Sequence, residues 1–224
     1  MISNGKFYES QFEEATIELL REAHWQYAFG DDIHRKYTDP LIEEDLRNFL
    51  TVQYKDKNLT TSEMDSIVAN LRNTGGQNDY YALRNAFLLY RDGYDFAYSD
   101  GRDNPFRLEY IDFEHPDHNI FRCVNQFVME QGRENRRPDI LLFINGIPVC
   151  IIELKNPTKQ NATIHDAHTQ ICTRYMRDIP ALLKYCALAV ISDGAKNALG
   201  TTYTPFEFFY EWKKIENEDK AGKG

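Results

Sequence analysis

Asp139, Glu153 and Lys155 are the residues of this 224-residue chain whose types and spacing suggest chemistry. They frame two apolar runs, Ile140 to Ile144 and Val149 to Leu154, in the stretch RRPDILLFINGIPVCIIELKNP. In an extended strand residues two apart share a face, so Glu153 and Lys155 point one way and Leu154 the other. Asn145-Gly146 between the runs is a strong hairpin signal, and a hairpin there brings Asp139 to within a residue or so of facing Glu153. Pro148 leaves the register open. Two adjacent carboxylates repel one another unless a cation sits between them, and their oxygens suit a hard divalent ion such as Mg2+. Such an ion polarises a phosphate oxygen and lowers the pKa of a bound water, while a neighbouring ammonium orients that water or stabilises growing charge. This is the equipment for phosphodiester hydrolysis. The alternative is an ion pair in which Lys155 bridges the two acids without any metal.

The elements that must position these residues can be read from periodicity. Glu9 to Trp25 has apolar residues at helical spacing, LIEEDLRNFLTVQY reads as a second helix with Asp39 as its cap and Pro40 in its first turn, and Thr61 to Leu71 as a short, polar third. DYYALRNAFLLYRDG is a fourth helix ending at Gly93. From Arg107 the sequence alternates like antiparallel strands, broken at His115-Pro116-Asp117. After the hairpin a helix is expected over Ile164 to Arg177, stopping before Pro180, and then a buried strand in YCALAVISDG. FEFFYEWKKIENEDKAGKG reads as a last helix decaying into a charged linker. The sum is an α/β or α+β chain: residues 1–210 form one domain, helical over about 1–95 with a mixed-sheet core over about 105–205, and 211–224 are a terminal helix or linker.

Bulk properties bound the function. A hydrophobic share of 42% supports a real core, and a formal charge of -9 advertises no general affinity for nucleic acid or anionic membrane. Four separated cysteines contain no CxxC pair, and the longest apolar stretches fall far short of the roughly 20 residues of a membrane helix. Free thiols in a reducing cytoplasm, away from membranes, are the expected setting. His165 and His168, three apart, lack a third ligand for a zinc site and are expected on the surface or capping a helix.

Pro138-Asp139 followed by Glu153-Leu154-Lys155 resembles the PD-(D/E)xK nuclease signature. The text around it resembles the amino-terminal nuclease domain of the restriction (motor, R) subunit of type I restriction-modification enzymes. The likeness is carried by Val124-Asn125-Gln126-Phe127, Arg136 to Pro157, Arg177-Asp178-Ile179-Pro180-Ala181-Leu182-Leu183 and Ile191-Ser192-Asp193-Gly194 with Gly200-Thr201, and more weakly by FEEATIELLREAHW. It implies a restriction-endonuclease-like mixed sheet flanked by helices. It also implies Mg2+ held by Asp139, Glu153 and the Leu154 carbonyl, with Lys155 supporting attack on the DNA backbone. By the same analogy Glu13 or Glu14 adds a further acid from the first helix.

The family's Gln-x-x-x-Tyr signature meets Gln170 and Tyr175 here, five apart rather than four. On an α-helix that leaves the second side chain about 140° round from the first, so Gln170 shares its face with Arg174 instead. Arg136 and Arg137 stand where they could reach a DNA backbone. The resemblance further implies double-stranded DNA and the methylation and specificity subunits as partners, and an ATP-driven translocase. No G-x-x-x-x-G-K-[S/T] loop occurs in the chain, so ATP acts only through motor domains expected beyond its end. The acidic balance fits a nuclease with weak DNA affinity of its own, which cuts after its motor stalls. A stand-alone PD-(D/E)xK nuclease and a non-catalytic DNA-binding or docking module are the competing readings.

Overall fold

The computed structural model of the chain describes residues 4–155 and 163–211, with side chains of the first helix from Ser10 onward. Helix α1, Asn4–Glu22, leads through a left-handed His24 into strand β1, Gln26–Phe29. Helices α2, Glu43–Gln53, α3, Thr61–Asn73, and α4, Asp79–Asp92, follow. Next come strands β2, Tyr94–Phe96, β3, Phe106–Leu108, β4, Phe121–Asn125, β5, Met129–Gln131, and β6, Glu134–Arg136. The hairpin is β7, Ile140–Ile144, and β8, Ile147–Leu154. Helix α5, Ile164–Thr169, passes into a π-helical turn, Gln170–Tyr175, and one last turn, Met176–Asp178. A turn of helix at Pro180–Leu183 and strands β9, Leu188–Ser192, β10, Asn197–Gly200, and β11, Tyr210–Glu211, complete the chain.

Seven strands form one mixed sheet in the order β1-β4-β7-β8-β9-β10-β11. β1 lies parallel to β4 and β8 parallel to β9, while β7 runs antiparallel to both of its neighbours, β4 and β8. The parallel step from β8 to β9 needs a crossover, which the α5 segment supplies. Alternation along β8 sorts its side chains. Cys150, Ile152 and Leu154 join Ile17 of α1 in a core on one face, whereas Ile151 joins Ile171, Tyr175 and Leu182 on the other. Both faces are thus covered, which is why β8 reads as a nearly continuous apolar run. Helices α2 to α4 close a further core with Tyr110, Ile147 and Tyr185.

Several expectations needed correction. The first 95 residues are not purely helical, since β1 is an edge strand of the main sheet and pairs Gln26 to Phe29 with Arg122 to Asn125. Four residues flanked by a helix and a tight turn carry too short a period to be read locally. Asp39 does not cap α2; its carboxylate accepts from the Leu41 amide at 3.1 Å and pairs with Arg72 at 2.6 Å, and α2 begins only at Glu43. Helix α3 is capped by a reciprocal Thr60–Glu63 box and buries Ile67, Val68 and Leu71, so it is amphipathic rather than polar. The aromatic run Phe206 to Glu211 is a short 3-10 turn followed by edge strand β11 on β10, not a helix. The Asn156-Pro157 stop and the charged tail from Trp212 lie outside the described residues.

The hairpin turn also docks the helical layer. Asn145 and Gly146 both take positive φ, 49° and 76°, the backbone of a two-residue turn whose twist suits the flanking strands. The Ile42 amide donates to the Gly146 carbonyl at 2.9 Å, and a Cβ on Gly146 would lie 2.1 Å from the Ile42 carbonyl oxygen. Asp45 of α2 then makes a two-point bond to Arg122 of β4, at 2.6 and 2.7 Å.

Candidate active site

The β7–β8 register decides how closely the two acids approach. Ile140 pairs with Ile152, so one further step along the ladder sets Asp139 level with Glu153. An irregularity near Pro148, where Phe143 faces Pro148 directly after Leu142 faces Cys150, absorbs one residue at the far end and leaves this end in step. An Asp139 carboxylate oxygen accepts the Leu154 amide at 2.8 Å, and the Asp139 carbonyl accepts the Gln126 amide at 3.2 Å. The acid is therefore pinned by backbone on both sides, and Pro138 before it is buried.

Glu153 has the parity of Ile151 and points beneath the α5 segment, where it is 1% exposed. Four side chains close a ring there. The Lys155 ammonium donates to Glu153 Oε1 at 2.7 Å and to Gln170 Oε1 at 2.9 Å. An ammonium has only donors, so the carbonyl oxygen of Gln170 faces it and the amide nitrogen faces the other way. That nitrogen donates to the Tyr175 hydroxyl at 2.7 Å, and the hydroxyl donates to Glu153 Oε2 at 3.3 Å. Burial first, and the Asp139 charge second, push the Glu153 carboxyl up to about 8, against the pull of Lys155 and Tyr175. The Tyr175 phenol is raised by its burial.

Tyr175 reaches the ring because the helix is not α-helical there. Bonds of the i→i+5 kind over Gln170–Tyr175 widen the turn by one residue and bring side chains five apart onto one face. The expectation that Gln170 pairs with Arg174 on a regular helix is thereby corrected: Arg174 is exposed, and Tyr175, 3% exposed, is the partner. Widened turns carry no composition signature, so the five-residue spacing itself was the only available sign.

The other candidates separate clearly. Glu13 on α1 accepts from the side-chain amides of Asn125, at 2.7 Å, and Gln126, at 3.0 and 3.1 Å, whereas Glu14 is exposed. Asn125 is held in turn by the Tyr27 hydroxyl at 3.0 Å. Gln126 thus links the two acids, its side chain holding Glu13 and its backbone holding Asp139. Residue-type reasoning did not single out Asn125 and Gln126; two amide side chains where an apolar strand ends were the signal. Glu13, Glu14, Asn125 and Gln126 line a cavity of about 580 Å³ beside α1.

Arg136 is engaged by neighbouring acids. It bonds Asp178 at 2.7 Å and also pairs with Glu134, while Arg177 takes the other Asp178 oxygen at 2.6 Å. This cluster ties β6 to the end of the α5 segment, and Arg137 beside it is exposed. His168 bonds the Thr204 carbonyl at 2.9 Å and packs with His165 around Phe206, in keeping with a structural role. The cysteines are free, with Cys123, Cys150 and Cys186 buried.

Asp139 and Glu153 offer hard oxygen ligands side by side, and a carboxyl raised by burial and by its neighbour's charge is one whose ionisation a dication would favour. The donor set fits a divalent cation such as Mg2+, with Lys155 and the Tyr175 hydroxyl left to orient what binds there. No helix among the described residues is long and apolar enough to cross a membrane.

A mixed sheet with an acid entering one strand and Glu-x-Lys closing its antiparallel neighbour, flanked by helices, is the α/β architecture of the restriction-endonuclease-like class. Comparison with known proteins narrows the class. Residues 6–208 match the family model for the type I restriction enzyme R protein N terminus, and the chain belongs to that family. It is 28% identical over 225 residues to the type I restriction enzyme HindI endonuclease subunit of Haemophilus influenzae, covering 96% of this chain and 21% of that protein. It is 30% identical over 215 residues to a putative type I restriction enzyme MjaIXP endonuclease subunit of Methanocaldococcus jannaschii, covering 92% of this chain and 20% of that one. The chain spans about a fifth of the length of these relatives.

Proposed function

We propose that residues 1–210 are the nuclease domain of a type I restriction-modification R subunit, with 211–224 leading towards motor domains. In this reading the domain is a Mg2+-dependent endonuclease that hydrolyses phosphodiester bonds of unmodified double-stranded DNA in the cytoplasm. Cutting follows ATP-driven translocation by the motor, and the methylation and specificity subunits choose the DNA. The observation that carries the reading is Asp139 held level with a buried Glu153, with Lys155 bonded to the same carboxylate. A bound Mg2+ would polarise the scissile phosphate and acidify a water.

This chain's own residues do the rest. Asp139 and Glu153 would hold the cation, with the Leu154 carbonyl as a further ligand by the family resemblance. The Lys155 ammonium, bonded to Glu153 and Gln170, would orient the attacking water or offset charge growing on the phosphate. Gln170 and Tyr175 keep Lys155 and Glu153 in place, and Glu13 adds an acid from α1. Arg137 and Arg174 are exposed and suited to backbone phosphates.

Calorimetry with Mg2+ or Mn2+ on this chain and on Asp139→Ala tests the site: binding lost in the variant supports it. If neither metal binds, the Lys155–Glu153 ion pair stands alone and the chain is a docking module. In the assembled enzyme, Glu153→Ala or Lys155→Ala should abolish cleavage while ATPase and translocation persist. The chain alone should bind DNA at micromolar or weaker affinity and cut slowly or undetectably, since a net charge of -9 favours release of the duplex. Robust Mg2+-dependent cutting of linear DNA by these 224 residues would instead point to a self-sufficient nuclease.

A further inference from the structure

A second metal-ligating cluster lies at the other end of the hairpin, and the nuclease reading does not use it. Asp112, His115 and His118 fall at three-residue spacing in the loop before β4. One ligand atom of each lies within 4.8 Å of the others, and among the described residues this is the one group of three His, Cys, Asp or Glu so placed. Asp112 is 4% exposed, and a buried carboxylate is costly unless its oxygens are occupied. Its Oδ1 accepts the amides of Glu114, at 3.0 Å, and His115, at 2.8 Å, which fixes the group. Its Oδ2 accepts from Gln53 of α2 at 3.1 Å and turns towards two imidazoles, with His118 Nδ1 at 3.0 Å and His115 Nδ1 at 3.7 Å.

The two rings are stacked, centroids 5.0 Å apart and 17° between planes. Two imidazoles directed at one carboxylate oxygen are more than a single hydrogen bond requires. The loop is also built to hold this shape. Asn119 accepts from the Asp112 amide at 2.9 Å and donates to the Asp112 and Pro116 carbonyls, at 2.7 and 3.0 Å. Its oxygen in turn accepts from Asn145, the fully buried turn residue of the β7–β8 hairpin, at 2.8 Å.

We propose that Asp112, His115 and His118 form a site for a borderline divalent cation, zinc foremost, with a fourth position open to water. Two nitrogen donors and one oxygen suit zinc, whereas Mg2+ prefers oxygen alone, so Mg2+ is not expected to fill this site. Tetrahedral ligands at about 2.0–2.1 Å from zinc stand about 3.3 Å apart, between the 3.0 and 3.7 Å at which the two imidazoles stand from Asp112, an adjustment the exposed rings make by rotating. Gln53, bonded to the ligating carboxylate, is the outer support that orients it and joins the site to α2. The ion would fasten this loop on itself, beside the turn of the hairpin whose other end carries the two acids.

The test uses the tag-free, chelator-treated chain. Titration with Zn2+ by calorimetry, and with Co2+ by visible absorption, should show one equivalent with the intense bands of low-symmetry cobalt in Asp139→Ala, where the paired-acid site is removed. His115→Ala and His118→Ala should each weaken binding at least about tenfold, and the double variant should lose the cobalt bands; circular dichroism should stay unchanged, because both rings are exposed. Gln53→Ala should weaken binding about tenfold without removing a ligand. Absence of zinc and cobalt binding, or binding undiminished in the double histidine variant, would overturn the proposal whatever the outcome at Asp139 and Glu153.

Discussion

Replacing Glu153 by glutamine should change how stability depends on pH when no metal is bound. Glu153 is 1% exposed, and burial beside Asp139 lifts its carboxyl from 4.5 to about 8 in the folded chain. The folded state therefore binds more protons than the unfolded state between those limits, and stability falls as pH rises through them. It is greatest below pH 4.5, declines towards pH 8 and levels off above. At roughly 1.4 kcal/mol per pH unit, the whole interval is worth on the order of 5 kcal/mol, a large part of the stability of an ordinary domain. Glutamine cannot ionise, so Glu153→Gln removes this slope while leaving other groups to titrate as before. Denaturant unfolding in EDTA at pH 5, 6, 7 and 8 should show the natural chain losing on the order of 4 kcal/mol more than the variant across that range. Saturating Mg2+ or Mn2+ should restore the natural chain at pH 8 and leave Glu153→Gln unchanged. Parallel pH profiles for the two proteins would refute the account of the buried carboxyl, and with it the reason for a cation beside Asp139.

Deleting Thr173, which is exposed within the π-helical turn, should return the segment to a regular α-helix with glutamine and tyrosine four apart. The fold and the metal affinity should survive, within a few degrees in Tm and threefold in Kd; loss of either would show that the widened turn is itself required. Gly146→Ala should cost about 2–4 kcal/mol and lower Tm by roughly 5–10 °C in a scanning melt, because its Cβ would meet the Ile42 carbonyl and its φ is left-handed. Glu13→Ala should reduce cleavage by the assembled enzyme at least about tenfold while Glu14→Ala does not, because only Glu13 is held by Asn125 and Gln126; equal effects would remove Glu13 from the site.

The sequence by itself determined the hairpin and the parity of its strands, and brought Asp139 to within about a residue of Glu153; the register past Pro148 that sets them level came from the packed sheet. The hairpin and the parity rest on a two-residue period and an Asn-Gly turn, which act over a few residues and need no distant partner. Helices α1, α2, α4 and α5 were legible for a similar reason, since each carries its own apolar stripe, whereas α3 was placed but read as polar. What the tertiary structure decided lies between segments far apart in the chain. Only the packed sheet places β1 beside β4, a pairing across almost a hundred residues that neither strand signals alone. Only burial under the α5 segment raises the Glu153 carboxyl so far, because desolvation is a property of the surroundings and not of the residue. The widened turn belongs to the same class. Gln170 and Tyr175 close a ring with Lys155 and Glu153 because bonds made in the folded core outweigh the small cost of leaving the α-helical ladder.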